Sequence, residues 1–99
     1  MPEIIPKKTD TVQYTVKASK DIDKLGNKYL LEKLRSWAKI VNNYGIQEAR
    51  KIKGYNDEAL KGNRKGQRSI RLNRSYRAIY VESQNAITIT VIEVHNHDY

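Results

Sequence analysis

The sequence predicts an α+β fold in which two helices from the N-terminal half pack on one face of a small antiparallel sheet of about four strands. Two observations carry that prediction. Apolar residues recur at steps of three and four between Ile22 and Val41, the spacing of a helical stripe, whereas beyond Gly66 the period falls to two. The period-two runs are short and joined by polar turns, which makes them a meander of antiparallel neighbours.

Residues 1–10 carry two prolines and no periodic pattern, and read as an N-terminal arm ahead of a single domain spanning residues 11–99. Residues 11–18 alternate, with Val12, Tyr14 and Val16 pointing one way and Thr11, Gln13, Thr15 and Lys17 the other, as in a half-buried strand. Ser19 or Asp21 then offers a side-chain oxygen to the free amides of a first helical turn. The stripe Ile22, Leu25, Leu30, Leu31, Leu34, Trp37, Ala38 and Val41 follows, with Gly26 dividing it into a short turn and a longer helix. Tyr44 and Gly45 close that helix, glycine being the residue that most easily takes the left-handed position after a helix end. Residues 46–52 form a second, short helix ended by Gly54. Trp37, Tyr29 and the leucine stripe are expected in the core against the sheet.

After a loop at 54–66, residues 67–72, 76–82 and 86–95 are the remaining strands, with turns at 73–75 and 83–85. Ile70 and Leu72 share one face of the first of these, and Gln67, Ser69 and Arg71 the other. Helices on one side of the sheet leave the opposite face for function.

Composition narrows the chemistry. The chain has 99 residues and no cysteine, which excludes a disulfide scaffold, a thiol nucleophile and a cysteine-based zinc site. A domain of this size buries ~65% of its unfolded surface, so any site is shallow. No apolar run reaches the ~20 residues of a membrane span, and the start has no long apolar segment, so no membrane partner and a cytoplasmic location are expected.

The net charge of +8 is unevenly placed. Residues 61–77 hold seven cations (Lys61, Arg64, Lys65, Arg68, Arg71, Arg74 and Arg77) and no acid, while the other 82 residues hold 12 cations and 11 anions. Five of the seven are arginine, whose planar fork matches a phosphate bidentately. A solvated face kept for solubility would more commonly mix signs and use lysine and glutamate. The strip therefore points to a polyanionic partner such as nucleic acid.

Glu58-Ala59-Leu60-Lys61-Gly62, then Gly66, Ser69-Ile70-Arg71-Leu72, Tyr76-Arg77-Ala78-Ile79-Tyr80 and a terminal His97-Asp98-Tyr99 give the chain a resemblance to the RelE/ParE toxin superfamily, its HigB-like and YoeB-like branches above all. The resemblance follows the order of elements from Thr11 to Tyr99 and is specific from Gly54 onward. It implies a small twisted antiparallel sheet with two helices on one side. It also implies the toxin of a type II toxin-antitoxin system, a ribosome-dependent mRNA endonuclease with a cognate antitoxin, working on the ribosome and mRNA with contacts to the 16S rRNA backbone and no cofactor. The ParE branch shares the fold and poisons DNA gyrase instead, so the fold leaves the activity open. A non-catalytic RNA-binding module is a third reading.

Cleaving RNA by attack of its own 2′-hydroxyl needs a base for that proton, cations for the charged phosphorane and an acid for the leaving 5′-oxygen, but no side-chain nucleophile. By resemblance, Glu58 stands where YoeB-like members carry their general base; a loop carboxylate pairing with Lys61 or Arg64 is the alternative. Arg77 occupies the position of the arginine that contacts the scissile phosphate, against a salt bridge to Glu82 or Glu93 across the sheet. Arg71 corresponds to a basic residue used by RelE-like members, and Lys61, Arg64, Lys65, Arg68 and Arg74 suit backbone-tracking contacts with RNA.

The family keeps its acid and stacking aromatic at the C-terminus. There His97 is the proton-donor candidate and Tyr99 the group that stacks on a base or bonds the phosphate. The order His-Asp-Tyr departs from the endings of both branches, leaving open which of His97, Asp98 and Tyr99 fills each role. His95 and His97 are also spaced to share a metal with Asp98, but the resemblance implies none, and His95 reads as a surface histidine.

Overall fold

The computed structural model describes residues 11–83 and 88–96. The arm at 1–10, most of the turn at 83–85 and the tail residues His97, Asp98 and Tyr99 lie outside the described residues. The chain runs β1 (Thr11–Tyr14), α1 (Val16–Leu25), α2 (Lys28–Tyr44), α3 (Ile46–Arg50), β2 (Glu58–Ala59), β3 (Arg68–Arg71), β4 (Tyr76–Glu82) and β5 (Thr88–Asn96), with 3-10 turns at Lys53–Tyr55 and Gly62–Arg64.

The α+β class holds, with a larger sheet than expected: five strands in the order β1-β5-β4-β3-β2, of which β1 runs parallel to β5 and the rest are antiparallel. Parallel neighbours need a long crossover, and here all three helices and three strands lie between the two in the chain.

The helical count rises from two to three for a local reason. The alternation through Val16 imitates a strand, but Thr15 ends it: its hydroxyl accepts from the Ala18 amide at 3.0 Å and caps α1, in place of Ser19 or Asp21. Val16 is accordingly 72% exposed. Gly26 ends α1 in the left-handed conformation at φ 56°, and Asn27 caps α2 by accepting from Tyr29 and Leu30, so the stretch before Gly26 is a full helix. At the far end of α2, Gly45 takes φ 89° and ψ 162°, a region open essentially to glycine alone, which turns the chain sharply into α3.

One core forms between the helices and one face of the sheet. Leu30, Leu34, Trp37 and Val41 of α2 and Ala18 of α1 pack with Ile70, Leu72, Ala78, Tyr80, Ile89, Val91 and Val94. The Trp37 and Tyr80 rings lie 5.1 Å apart, a tilted aromatic pair. Tyr29, expected in this core, is 72% exposed, because one helical step carries it off the stripe marked by Leu30 and Leu34. Asp21 Oδ2 accepts from the Val94 amide at 3.0 Å and fastens α1 to β5. Burial works against the Asp21 carboxylate, but the Val94 amide and Lys17 outweigh it and hold its pKa below the usual range.

The opposite face is set by a β-bulge in β5. Ile79 pairs with Glu93 and Tyr80 with Val91, so Ile92 is an extra residue against β4. Ile89 and Val91 face the core, and so does Val94; the bulge reverses the alternation between them and sends Glu93 and His95 to the face without helices. Thr15 braces this point, donating from its hydroxyl to the Ile92 carbonyl at 2.9 Å.

Candidate active site

The face away from the helices carries the polar residues. Register places Arg71, Arg77 and His95 in one row across β3, β4 and β5, and Glu58, Ser69, Ile79 and Glu93 in the next row across β2 to β5. Arg64 Nη1, from the loop after β2, reaches Glu93 Oε1 on β5 at 3.0 Å. Three strand spacings of ~4.8 Å separate β2 from β5, more than an arginine side chain spans, so this loop folds across the face.

Beneath it Ser69, Arg77 and Ile79 are fully buried. Arg77 donates from Nε to Ser69 Oγ at 2.8 Å, and from Nη2 to the Asn56 carbonyl at 2.8 Å and the Ser69 carbonyl at 3.3 Å. Its ion-pair partner is Glu58, with Nη2 to Oε1 at 3.6 Å, and not Glu82 or Glu93, which are engaged with Arg50 and Arg64. Glu58 likewise pairs with Arg77 and with neither Lys61 nor Arg64. The two residues singled out for base and phosphate contact thus stand together, although they are 19 positions apart in sequence. Glu58 is half-exposed and Arg77 is not, so the carboxylate forms the accessible lip of the site and the guanidinium its floor.

His95, read from the sequence as a surface histidine, joins the same face. Its Nδ1 lies 2.6 Å from the Asn96 carbonyl, an acceptor only, which assigns that nitrogen the proton in this arrangement. Its Nε2 lies 3.6 Å from Oε2 of Glu93, the carboxylate that Arg64 also holds. The sequence does not bring His95 beside Arg77, because that placement depends on the bulge. The signal that could have revealed it is the phase change from Ile89 and Val91 to Val94.

The seven cations of the basic strip divide. Arg64, Arg68 and Arg77 are closed on Glu93, Asp57 and Glu58 respectively. Arg68 also lies on the helix side of the sheet, opposite Tyr80 in register, where its Nε donates to Asp57 Oδ1 at 2.7 Å. Burial opposes its charge, but Asp57 overrides that and holds its pKa above the ordinary value. Lys61, Lys65, Arg71 and Arg74 are exposed and form no ion pair among the described residues. His97 and Tyr99 lie outside the described residues, three and one positions from the end of the chain inclusive of it. Among the described residues no group of three metal-ligating side chains stands together, and no helix is long and apolar enough to cross a membrane.

No protein-family model and no curated protein matches the chain. Solved structures do. YafQ from E. coli superposes with a TM-score of 0.70 at 17% identity, covering 89% of this chain and 93% of that one. The YoeB dimer from Staphylococcus aureus gives 0.68 at 19% identity, covering 92% and 99%. The RelBE2 toxin-antitoxin complex from Mycobacterium tuberculosis gives 0.63 at 21%, covering 90% and 99%. A near-complete match in both directions means that the chain shares the fold of these three structures.

Proposed function

We propose that this protein is the toxin of a type II toxin-antitoxin pair and a ribosome-dependent mRNA endonuclease. The observation that carries the reading is the Glu58–Arg77 pair, 3.6 Å apart on the face without helices, with Arg77 in register with His95. In the proposed reaction Glu58 takes the proton of a ribose 2′-hydroxyl and the freed oxygen bonds to the adjacent phosphorus. The bond to the 5′-oxygen breaks, and a protonated histidine, His97 or His95, supplies that oxygen with a proton. Arg77, buried beneath Glu58, orients that carboxylate and places its positive charge under the phosphorane. Tyr99 stacks on the displaced base. Lys61, Lys65, Arg71 and Arg74 track the phosphate backbone of mRNA and 16S rRNA, with Arg64 and Arg68 shaping the loop and edge that present them. The similarity to the toxin in the RelBE2 complex supports a cognate antitoxin as the physiological partner.

The test is cleavage of mRNA on programmed ribosomes by the purified chain. Fragments ending in 2′,3′-cyclic phosphate are expected, with Glu58→Gln slowing their appearance by ~10²-fold or more. Intact mRNA, together with a fall in DNA supercoiling before protein synthesis declines in induced cells, would overturn the reading in favour of a gyrase poison.

A further inference from the structure

The segment Asn56-Asp57-Glu58 is held from both faces of the sheet at once. On the uncovered face the Asn56 carbonyl and the Glu58 carboxylate meet the same nitrogen, Arg77 Nη2. On the helix face the Asp57 carboxylate, with no exposed side-chain surface, takes the Tyr80 hydroxyl at 2.5 Å on Oδ2 and Arg68 Nε at 2.7 Å on Oδ1. Arg50 donates to the same Tyr80 oxygen at 3.3 Å and is itself paired with Glu82. Asn56 is the one non-glycine residue with positive φ among the described residues, at 44°, and this conformation lets a single tripeptide present groups to both sides.

β2 is only two residues long and sits at the sheet edge, so its own ladder gives it little hold. A fully buried carboxylate with two donors is a far stronger anchor. The Asp57–Tyr80–Arg68 contacts lie on the helix side of the sheet and take no part in the proposed reaction.

We propose that Asp57 and Tyr80 are positioning residues: their hydrogen bond on the helix side of the sheet holds β2 so that Glu58 stands against Arg77 on the other side. The proposal rests on the nuclease reading only for its catalytic consequence; the mechanical part stands alone. In Tyr80→Phe the ring and its contact with Trp37 remain while the bond to Asp57 is lost. Asp57→Asn keeps the volume and removes the charge that holds Arg68.

Two measurements on each variant decide the matter. Exchange of the Arg77 Nε–H, followed by NMR, is expected to accelerate at least tenfold as β2 loosens over it, with Ala78 and Val91 amide exchange unchanged. On programmed ribosomes the single-turnover cleavage rate is expected to fall by ~10- to 100-fold with the half-saturating ribosome concentration within about twofold of the parent, the pattern of a displaced group. The double variant should fall no further than the worse single one. Parental Nε–H exchange in both variants would overturn the proposal, as would accelerated exchange with parental cleavage. If the parent leaves RNA intact, the nuclease reading fails, and the exchange measurement alone decides the clamp.

Discussion

Arg77 on β4 and His95 on β5 are register partners on the face the helices leave uncovered, and one extra residue in β5 makes them so. Without the bulge at Ile92 the alternation set by Ile89 and Val91 would continue, and His95 would point into the core while Val94 left it. Thr15 holds both the bulge and the start of α1 with one hydroxyl. Thr15→Ala therefore loses a helix cap and a partly buried hydrogen bond together, at an expected cost of ~2 kcal/mol. In a domain of this size that lowers the melting temperature by roughly 10 °C. A shift under 3 °C by calorimetry would show that the bulge needs no brace.

Arg77 and Glu58 differ in what their removal does to the fold. Arg77 is fully buried with three hydrogen bonds, so Arg77→Ala removes all three and leaves a cavity, costing ~3 kcal/mol or more. Glu58 is half-exposed, and Glu58→Gln keeps its volume and takes from Arg77 a single contact at 3.6 Å while the three hydrogen bonds stay, so it should cost less stability than Arg77→Ala. Loss of activity in Arg77→Ala thus reports on folding as well as chemistry, whereas loss in Glu58→Gln reports on chemistry. Urea denaturation of the two variants checks the contrast; equal midpoints would contradict the burial of Arg77.

These contrasts also mark what the amino-acid sequence makes legible. The stripe ending at Val41 and the strand over Tyr76–Glu82 are visible because each buries a regular face, and periodicity records such faces directly. β2 is invisible for the opposite reason: two residues have no period. The α1 cap is masked by an alternation that continues one turn too far. The strip at 61–77 looks free of acids because Asp57, Glu58 and Glu93 meet its arginines only through strand pairing, which local composition does not record. The resemblance marks Glu58 and Arg77 separately; that they pair, and that Arg77 is buried, follows from the register of β2, β3 and β4.

Tyr80 gives the fold an alkaline weakness. Burial, reinforced by its hydrogen bond to Asp57, pushes its phenol well above the ordinary value of 10.0, and burial raises Tyr55 and Tyr14 as well. The folded state therefore keeps protons that the unfolded chain has released. The stability this confers is complete below pH ~10 and is lost as pH rises beyond it, each such tyrosine contributing up to ~1.4 kcal/mol per pH unit. Urea midpoints measured from pH 8 to 11, roughly the range that brackets an ordinary phenol, should fall at the alkaline end. The fall should be shallower in Tyr80→Phe, and an identical slope in the two proteins would remove Tyr80 as its source.

The division of the basic strip predicts two classes of arginine and lysine variant. Lys61, Lys65, Arg71 and Arg74 are exposed without an acid partner among the described residues, whereas Arg68 is fixed to a buried carboxylate. Binding of a single-stranded RNA with 2′-deoxyribose at the scissile position can be followed by anisotropy between about 50 and 200 mM salt. Each exposed cation that contacts phosphate contributes ~0.7 to the slope of log affinity against log salt, and its alanine variant should lose that much with an unchanged melting temperature. Arg68→Ala should do the reverse, keeping the slope and melting earlier, because it leaves the Asp57 carboxylate buried with one donor fewer. An unchanged slope in all four exposed-site variants would mean that RNA approaches by another face of the molecule.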